Sequence, residues 1–423
     1  MLLGRLVGGT ARVGFGTTIL ADMSKFEQPR GQPATSEPPF VALGWRGNRH
    51  FQTIWPNRIK REPAGPRLAS WSESAIIESE DGDSLRVWWS RHCDDPNGGG
   101  EAARTEPGHR DAVLLAPNPP RPVLIVLHGL TGCADAENVL ATAAKGYALG
   151  FDVVRVDLRN TQADDAPSLG VGHAGRSEDF RATVRHVEDR EPGAPMTVVA
   201  FSLGGNITLK ALGEYGDAVS GELCAAAVIS VPIDLESACA AIDERRENWI
   251  YRNYFLKRLA RRYLDARQQR PDLFHAIDID SIRGIRDWDN AVVAPLGGFV
   301  DAEDYYARSS SSKVLENIRV PTLLVHAQDD PFIPFESFQA PAIQGNDCVR
   351  LLAPRQGGHV GFYSTTMLDG EPDRYWAENR ALAFCAESVG LSWVNGSGSA
   401  RTAAPDASPR ISTRLSAPAA GGR

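Results

Sequence analysis

The chain has 423 residues with a formal net charge of −8, and 42% of its residues are hydrophobic. That share is typical of a globular protein that buries a large core. Neither half is strongly basic, and binding phosphates requires a concentrated cationic face, so the composition argues against a nucleic-acid partner. No apolar run reaches about 18 residues, so no membrane-spanning segment is predicted.

The six cysteines are scattered along the chain and form no CxxC pair. They are Cys93, Cys133, Cys224, Cys239, Cys348 and Cys385. A disulfide framework or a zinc site needs closer, patterned spacing. We therefore expect reduced thiols in a cytoplasmic protein and no zinc cluster.

Both ends of the chain are rich in small and polar residues, which predicts disordered tails over residues 1–39 and 395–423 around one domain at 40–394. The first residues contain arginines but no continuous apolar stretch, which disfavours a secretory signal. Either Met1 or Met23 can be the start. A polar segment rich in Gly and Pro, 94–120, predicts a long surface loop.

In chain order, the first predicted elements are two strands, 75–79 and 84–89, which flank Asp81-Gly82 and suggest a hairpin. Six short apolar runs then predict strands that are buried on both faces of a parallel sheet. These runs are 123–127, 153–156, 196–201, 226–231, 321–326 and 348–352.

Helical patterns separate these strands, at 138–149, 178–190, 205–215 and 375–389. The alternation predicts an α/β fold with a mostly parallel central sheet and helices on both faces. One connection, 232–317, is unusually long, and its sequence pattern predicts mostly helix. We expect it to form a cap over the carboxyl ends of the strands, where open α/β sheets place their sites.

The segment Ala200-Phe201-Ser202-Leu203-Gly204 follows a predicted strand and opens a helix. This is the context of a nucleophile elbow, a sharp turn that exposes a serine hydroxyl at the edge of a sheet. The first position of that motif is usually Gly, and Ala200 is small enough to replace it. Taken alone, the segment also suits a structural cap or a phosphate-binding loop. Ser202 is the candidate nucleophile.

A second motif, His128-Gly129-Leu130, directly follows strand 123–127. An oxyanion hole needs one backbone N–H from the residue after the nucleophile and another from the loop after an earlier strand. Leu203 and Leu130 are the predicted donors. His128 precedes Ser202 in the chain, so we do not assign it as the base, and it could simply brace the loop. Taken alone, the motif also suits a βα turn with no catalytic role.

The candidate acid and base follow the last two strands. Asp329 and Asp330 come after strand 321–326, and His359 lies in a Gly-rich loop. We prefer Asp330 because the D-P-x-x-P register is the one found in hydrolases, which leaves Asp329 as a turn or cap residue. The order Ser202, Asp330, His359 is that of a hydrolase triad on an α/β sheet.

With these residues the chain resembles the YheT-like branch of the α/β-hydrolase superfamily, also described as the embryogenesis-associated-protein group. The resemblance spans 39–389 and rests on residues 48–56, 128–132, 173–179, 201–206, 294–299, 301–306, 329–332 and 357–362. It implies esterase- or lipase-like activity on acyl esters, with the triad Ser202, Asp330 and His359. We further expect Ser177 to cap the helix that follows it, and Asn206 to brace the elbow.

The leading hypothesis is therefore a serine hydrolase that cleaves small-molecule or lipid-type carboxylic esters through an acyl-enzyme. An acyltransferase that passes the acyl group to an alcohol uses the same residues, and a catalytically silent binding protein can share the fold. This mechanism requires no metal, no organic cofactor and no protein partner. The sequence leaves undecided whether the cap contacts a membrane surface. The aromatic residues of the cap could line an acyl channel, touch lipid or, as helical spacing favours, pack as core: Trp249, Tyr251, Tyr254 and Phe255.

Overall fold

The computed structural model describes residues 39–42, 47–56, 61, 68–70, 72–92, 120–161 and 168–392. The predicted tails, apart from residue 39, and the predicted loop 94–120, apart from residue 120, lie outside the described residues, as does Cys93. The described strands are β1 (Glu73–Glu78), β2 (Ser84–Ser90), β3 (Val123–Leu127), β4 (Asp152–Asp157), β5 (Met196–Phe201), β6 (Leu223–Ile229), β7 (Thr322–Val325) and β8 (Val349–Leu352).

The described α-helices agree with the predicted helical segments and add several short ones. They are α1 (Arg49–Ile54), α2 (Glu137–Leu149), α3 (Ser177–Arg190), α4 (Leu203–Tyr215), α5 (Leu235–Glu244), α6 (Trp249–Gln269), α7 (Ile285–Trp288), α8 (Ala294–Gly297), α9 (Ala302–Ser309), α10 (Pro341–Gln344) and α11 (Trp376–Ser388). Strand β6 begins at Leu223, three residues before the predicted start, because its first residues extend the pairing with β5.

The strands form one sheet in the order β1-β2-β4-β3-β5-β6-β7-β8. Strands β1 and β2 form the predicted hairpin, and β2 pairs antiparallel with β4. All remaining neighbours are parallel. The carboxyl ends of β3, β5, β6, β7 and β8 therefore meet at one edge of the sheet.

Two hydrophobic cores cover the two faces of the sheet, as expected for strands that are apolar throughout. Along β5, Val198 and Ala200 contribute to one core together with side chains of α3 and α4. Val199 and Phe201 point to the other core, which α2 and α11 cover. The central strands are thus buried on both sides, and only their ends can reach a ligand.

The long connection between β6 and β7 contains helices α5 to α9; we call it the β6–β7 insertion. Its aromatic side chains do not share one environment. Tyr251 is buried, and Phe255 is half-buried at a cavity wall. Trp249 and Tyr254 are more than half exposed, at 55% and 51%. The expected core packing is therefore correct for Tyr251 and wrong for Trp249 and Tyr254.

The expectation that Ser177 caps a helix is also wrong. Ser177 is the first residue inside α3, and the N-cap position belongs to Arg176, which makes no side-chain cap bond. Because Ser177 already lies in the first turn, its hydroxyl faces the neighbouring helix α4 and donates a hydrogen bond to Glu214 Oε2 at 2.5 Å.

Within the described residues, no helix is long and apolar enough to cross a membrane.

Candidate active site

Ser202 lies at the turn between β5 and α4, in a backbone conformation that residues other than glycine rarely adopt. Its φ is +48° and its ψ is −117°. Such strain persists only where the surroundings hold it, and it is typical of functional sites. Here the Ser202 N–H donates to Ile229 O at the end of β6 (2.9 Å), and the Ser202 carbonyl accepts from Asn206 N (3.2 Å). The turn therefore projects the serine side chain from the carboxyl edge of the sheet.

Asn206 is fully buried one turn into α4 and braces the elbow, as expected. Its Nδ2 donates to Ala174 O (2.9 Å) and to Ser309 O (2.8 Å), and its Oδ1 accepts from Ser311 N (3.0 Å). All these partners are backbone groups of other segments. One side chain thus ties the start of α4 both to the loop before α3 and to the end of the β6–β7 insertion.

The three predicted triad residues lie in hydrogen-bond contact. His359 Nε2 is 3.1 Å from Ser202 Oγ, and His359 Nδ1 is 2.8 Å from Asp330 Oδ2. The second carboxylate oxygen, Asp330 Oδ1, accepts from the backbone N–H groups of Phe332 (2.8 Å) and Ile333 (3.2 Å). The Asp330 side chain is completely buried. Its carboxylate is therefore held in one orientation, with a single oxygen facing the imidazole.

Asp329, the alternative acid, contacts the backbone of the His359 loop and not the imidazole. Its Oδ1 accepts a hydrogen bond from Gly358 N at 3.0 Å, immediately before His359. Burial raises the pKa of the Asp329 carboxyl above its usual value. The two neighbouring acids thus divide their roles, since Asp330 contacts the imidazole and Asp329 supports the loop that carries it.

The loop that carries His359 also rests on helix α1 and on the end of β6, and sequence reasoning assigned no role to these contacts. His359 N donates to Thr53 Oγ1 at 2.9 Å, and Val360 N donates to Ser230 Oγ at 3.0 Å. The loop approaches α1 so closely that a Cβ at Gly361 would lie 1.7 Å from Gln52 O. The sequence signal for this support was segment 48–56, which entered only as part of the family resemblance.

The loop after β3 packs directly against the nucleophile. A Cβ at Gly129 would lie 3.0 Å from Ser202 Cβ and 3.7 Å from Ser202 Oγ, so a larger residue there would press against the nucleophile. Leu130 and Leu203 line the same cavity as Ser202. Leu203 is the first residue of α4, and a helix leaves the N–H groups of its first turn without intrahelical partners. Both predicted oxyanion donors thus border the space in front of Ser202.

His128 braces this loop and does not approach Ser202 as a base. Its Nε2 accepts a hydrogen bond from Leu158 N at 3.1 Å, so its proton is on Nδ1, which donates to Gly129 O at 2.8 Å. Burial lowers the pKa of His128 to about 4. The imidazole is therefore neutral near pH 7 and serves as a fixed link between β4 and the glycine loop.

Two arginines of α6 hold the same loop from the other side. Arg262 donates to the carbonyls of Thr131 (2.9 Å) and Gly132 (2.7 Å), and Arg258 donates to Thr131 O (3.1 Å). Thr131 adopts a φ of +59°, which a non-glycine residue rarely does. The β6–β7 insertion thus fixes the backbone next to Leu130, a contact that the sequence did not predict.

A cavity of about 110 Å³ lies in front of Ser202 and His359. Most of its walls are apolar and come from the β6–β7 insertion and the Asp330 loop. They include Leu235, Ala238, Ile242, Phe255, Ile285, Trp288, Phe332 and Ile333. A second, smaller cavity of about 70 Å³ adjoins it and shares Leu130, Leu203 and Leu259.

The apolar cavity contains one buried acid, Asp289, in a π-helical stretch of the insertion. Its Oδ2 accepts a hydrogen bond from the Tyr306 hydroxyl at 2.7 Å. Burial raises the pKa of Asp289 to about 7. Across the described ranges, no group of three or more His, Cys, Asp or Glu side chains is arranged to hold a metal ion, and the five described cysteines are free.

Comparison with known proteins agrees with this architecture. Residues 122–365 match the family model for the α/β hydrolase fold. The chain is 28% identical over 349 residues to YheT of Escherichia coli K12, which is named as an inferred esterase; the match covers 82% of this chain and 92% of that protein.

Two further relatives are matched over part of their length. The chain is 30% identical to mouse phospholipase ABHD3 over 57% of this chain, and 30% identical to yeast monoacylglycerol lipase over 61% of this chain. It spans 58% of each of these two proteins.

The comparisons and the sheet topology confirm the predicted fold class, and the match to YheT confirms the predicted resemblance. The chain belongs to the α/β hydrolase fold family.

Proposed function

We propose that the protein hydrolyses carboxylic esters that carry an apolar acyl group, through an acyl-enzyme formed on Ser202. The observation that carries this proposal is the continuous chain of hydrogen bonds from Asp330 through His359 to Ser202, at 2.8 and 3.1 Å. A serine is weakly nucleophilic until a positioned base removes its proton, and this arrangement provides such a base.

In the first step, Ser202 Oγ attacks the ester carbonyl while its proton passes to His359 Nε2. Asp330 keeps the other ring proton on Nδ1, which leaves Nε2 free to accept, and it stabilises the imidazolium. The Leu130 and Leu203 N–H groups donate to the oxyanion. His359 then gives the proton to the leaving alcohol. A water molecule, activated by the same nitrogen, releases the carboxylic acid and restores Ser202.

The wall of the cavity supports an apolar acyl group as the recognised part of the substrate. Burying hydrocarbon against these side chains stabilises the complex by roughly 0.8 kcal/mol for each methylene removed from water. The phospholipase and the monoacylglycerol lipase among the relatives are named for acylated lipids. Lipid-type acyl esters are therefore the substrate class that we propose, and transfer of the acyl group to an alcohol is the neighbouring reaction.

A labelling experiment tests the nucleophile. A fluorophosphonate probe should label the protein and should fail to label Ser202→Ala. A matched control, Ser220→Ala, removes a hydroxyl at the opposite edge of the sheet, just before β6, and should label like the parent protein. Undiminished labelling of Ser202→Ala would show that another residue is the nucleophile.

A second experiment separates the reactions. Turnover of p-nitrophenyl esters and acylglycerols is measured as the acyl chain is lengthened, with and without added alcohol. We expect kcat/KM to rise with chain length until the cavity is filled, and the free acid to be the main product. An alkyl ester as the main product would establish acyl transfer. Labelling without turnover of any ester would contradict the proposal.

A further inference from the structure

Helix α6 has two different faces. Its inner face lines the cavities, through Phe255, Leu259 and Arg262. Its outer face carries large apolar side chains in solvent: Trp249 (55% exposed), Ile250 (54%), Tyr254 (51%) and Leu264 (47%). We call the outward-facing side chains Trp249, Ile250, Tyr254, Lys257, Arg261 and Leu264 the α6 outer face.

This exposure is concentrated in one place. The described residues include twelve large hydrophobic side chains that are classed as exposed, and four of them lie on α6. Two more are Ile54, the last residue of α1, and Trp55, which follows it. Helix α1 contacts α6 directly, because His50 Nδ1 and the Tyr251 hydroxyl are 3.0 Å apart and their rings stack. Scattered exposed apolar residues need no explanation, but four on the outer face of one helix mark an interaction surface.

The charge of α6 opposes that of the whole chain. The helix contains six Lys and Arg residues and one Asp, whereas the whole protein has a formal net charge of −8. Lys257 and Arg261 both point to solvent. Arg261 has a side chain that is 86% exposed, and its contact with Asp265 is a long one of 3.9 Å. Aromatic and aliphatic side chains beside exposed cations are the pattern of helices that lie in the interface of an anionic bilayer.

A groove lies along the same surface. It is open, has a volume of about 420 Å³, and lies between α6 and residues 279–282. Leu256, Leu264 and Ile282 form apolar parts of its wall, and its charged border consists of Lys257, Arg261 and Asp265. Hydrocarbon and a negatively charged headgroup can thus be accommodated side by side at this surface.

We infer that the α6 outer face docks the protein on an anionic lipid surface. The inner face of the same helix contributes Phe255 and Leu259 to the wall of the cavity at Ser202, so docking would bring lipid to a helix that lines the site. The choice of a lipid partner rests on the proposed function, because an esterase for lipid-type substrates meets its substrate at such a surface. Trp and Tyr favour the boundary between headgroups and hydrocarbon, and the cations favour anionic headgroups.

The test is flotation with lipid vesicles, and it uses Ser202→Ala protein so that no lipid is consumed. Vesicles of phosphatidylcholine alone are compared with vesicles that also contain phosphatidylglycerol. We expect binding to the anionic vesicles and a steep loss of binding as salt is added, because salt screens exposed charges. Removing two cations by Lys257→Gln with Arg261→Gln should lower the partition coefficient by roughly 30-fold at low salt.

The apolar component is tested with Trp249→Ser combined with Ile250→Ser and Tyr254→Ser. Matched controls are Ile76→Ser on the edge strand β1 and Arg319→Gln, which pairs with Asp217 near the amino end of β7. Circular dichroism and the unfolding midpoint establish that each variant is folded. The controls should bind vesicles like the parent protein, and both α6 variants should lose binding.

Three results would overturn the inference: no binding to anionic vesicles, equal binding to both kinds of vesicle, or equal losses in the controls and the α6 variants. Flotation requires no turnover. Failure of docking and failure of ester hydrolysis are therefore measured separately, the first by flotation and the second by the labelling and turnover experiments on the active protein.

Discussion

Replacing Asp330 by Asn tests the division of roles between the two adjacent acids. Asp330 Oδ1 accepts hydrogen bonds from two backbone N–H groups, those of Phe332 and Ile333. In Asp330→Asn these two donors hold the amide oxygen in that position, so the amide NH2 must face His359 Nδ1, where Oδ2 now lies at 2.8 Å. A donor facing Nδ1 moves the ring proton to Nε2, and the imidazole can then no longer accept the Ser202 proton.

The size of the effect follows from this exchange of tautomers. Trapping the base of a serine triad in the wrong tautomer lowers kcat by about 10⁴-fold, even though the geometry is intact. Asp329→Asn is the matched control, since its amide oxygen can still accept from Gly358 N. We expect the control to lose less than about tenfold, because the charge of Asp329 does not contact the imidazole.

The assay is steady-state turnover of a soluble p-nitrophenyl ester near pH 7, together with fluorophosphonate labelling rates for both variants. Asp330→Asn should label slowly as well, because labelling also requires an activated Ser202. If Asp329→Asn lost more activity than Asp330→Asn, the acid would have to be reassigned by one residue. If both variants remained within about tenfold of the parent, the tautomer argument would be refuted.

Two further predictions concern the loop beside Ser202 and a buried histidine. Arg262→Ala should lower kcat about 10- to 100-fold with a smaller change in KM, because it frees the carbonyls next to Leu130, the proposed oxyanion donor. Arg262→Lys should restore part of the rate, and equal losses in both variants would contradict a positioning role. Burial lowers the pKa of His326 to about 4. As the pH falls from about 6.5 toward 4, the unfolded chain protonates this histidine before the folded protein does, and the free energy of unfolding decreases. His326→Phe removes the titrating group, and its ring can still pack on Phe338. Urea titrations should therefore show an acid-induced loss of unfolding free energy that is smaller by roughly 3 kcal/mol than in the parent protein. Parallel pH profiles for the variant and the parent would disprove this.

Much of the fold could be predicted because its signals are local. Largely apolar runs such as 123–127 and 196–201 identify strands that are buried on both faces, and the structure places β3 and β5 at these residues. The residues at the ends of such strands are predictable for the same reason. In a parallel sheet the carboxyl ends share one edge, so Ser202, Asp330 and His359 could be expected to lie together.

Ser177 and Trp249 show where local patterns fail. The sequence Arg176-Ser177-Glu178 suits a helix cap, but the helix begins one residue earlier than the cap position requires, and the hydroxyl bonds to Glu214 of a neighbouring helix. The aromatic residues of α6 have helical spacing, but spacing cannot tell which side of a helix finds a partner. Tyr251 packs inward, and Trp249 remains in solvent.

The sequence by itself determined the order of strands and helices and the candidate residues at their ends, because apolar periodicity and turn chemistry act over a few neighbouring residues. Only the tertiary structure decided what holds the site in place. Thr53 supports the backbone of His359 from 306 positions away, and Arg262 holds the loop at Leu130 from a different part of the chain. Such contacts form when separate segments pack together, and no local pattern records which partner each polar group will find.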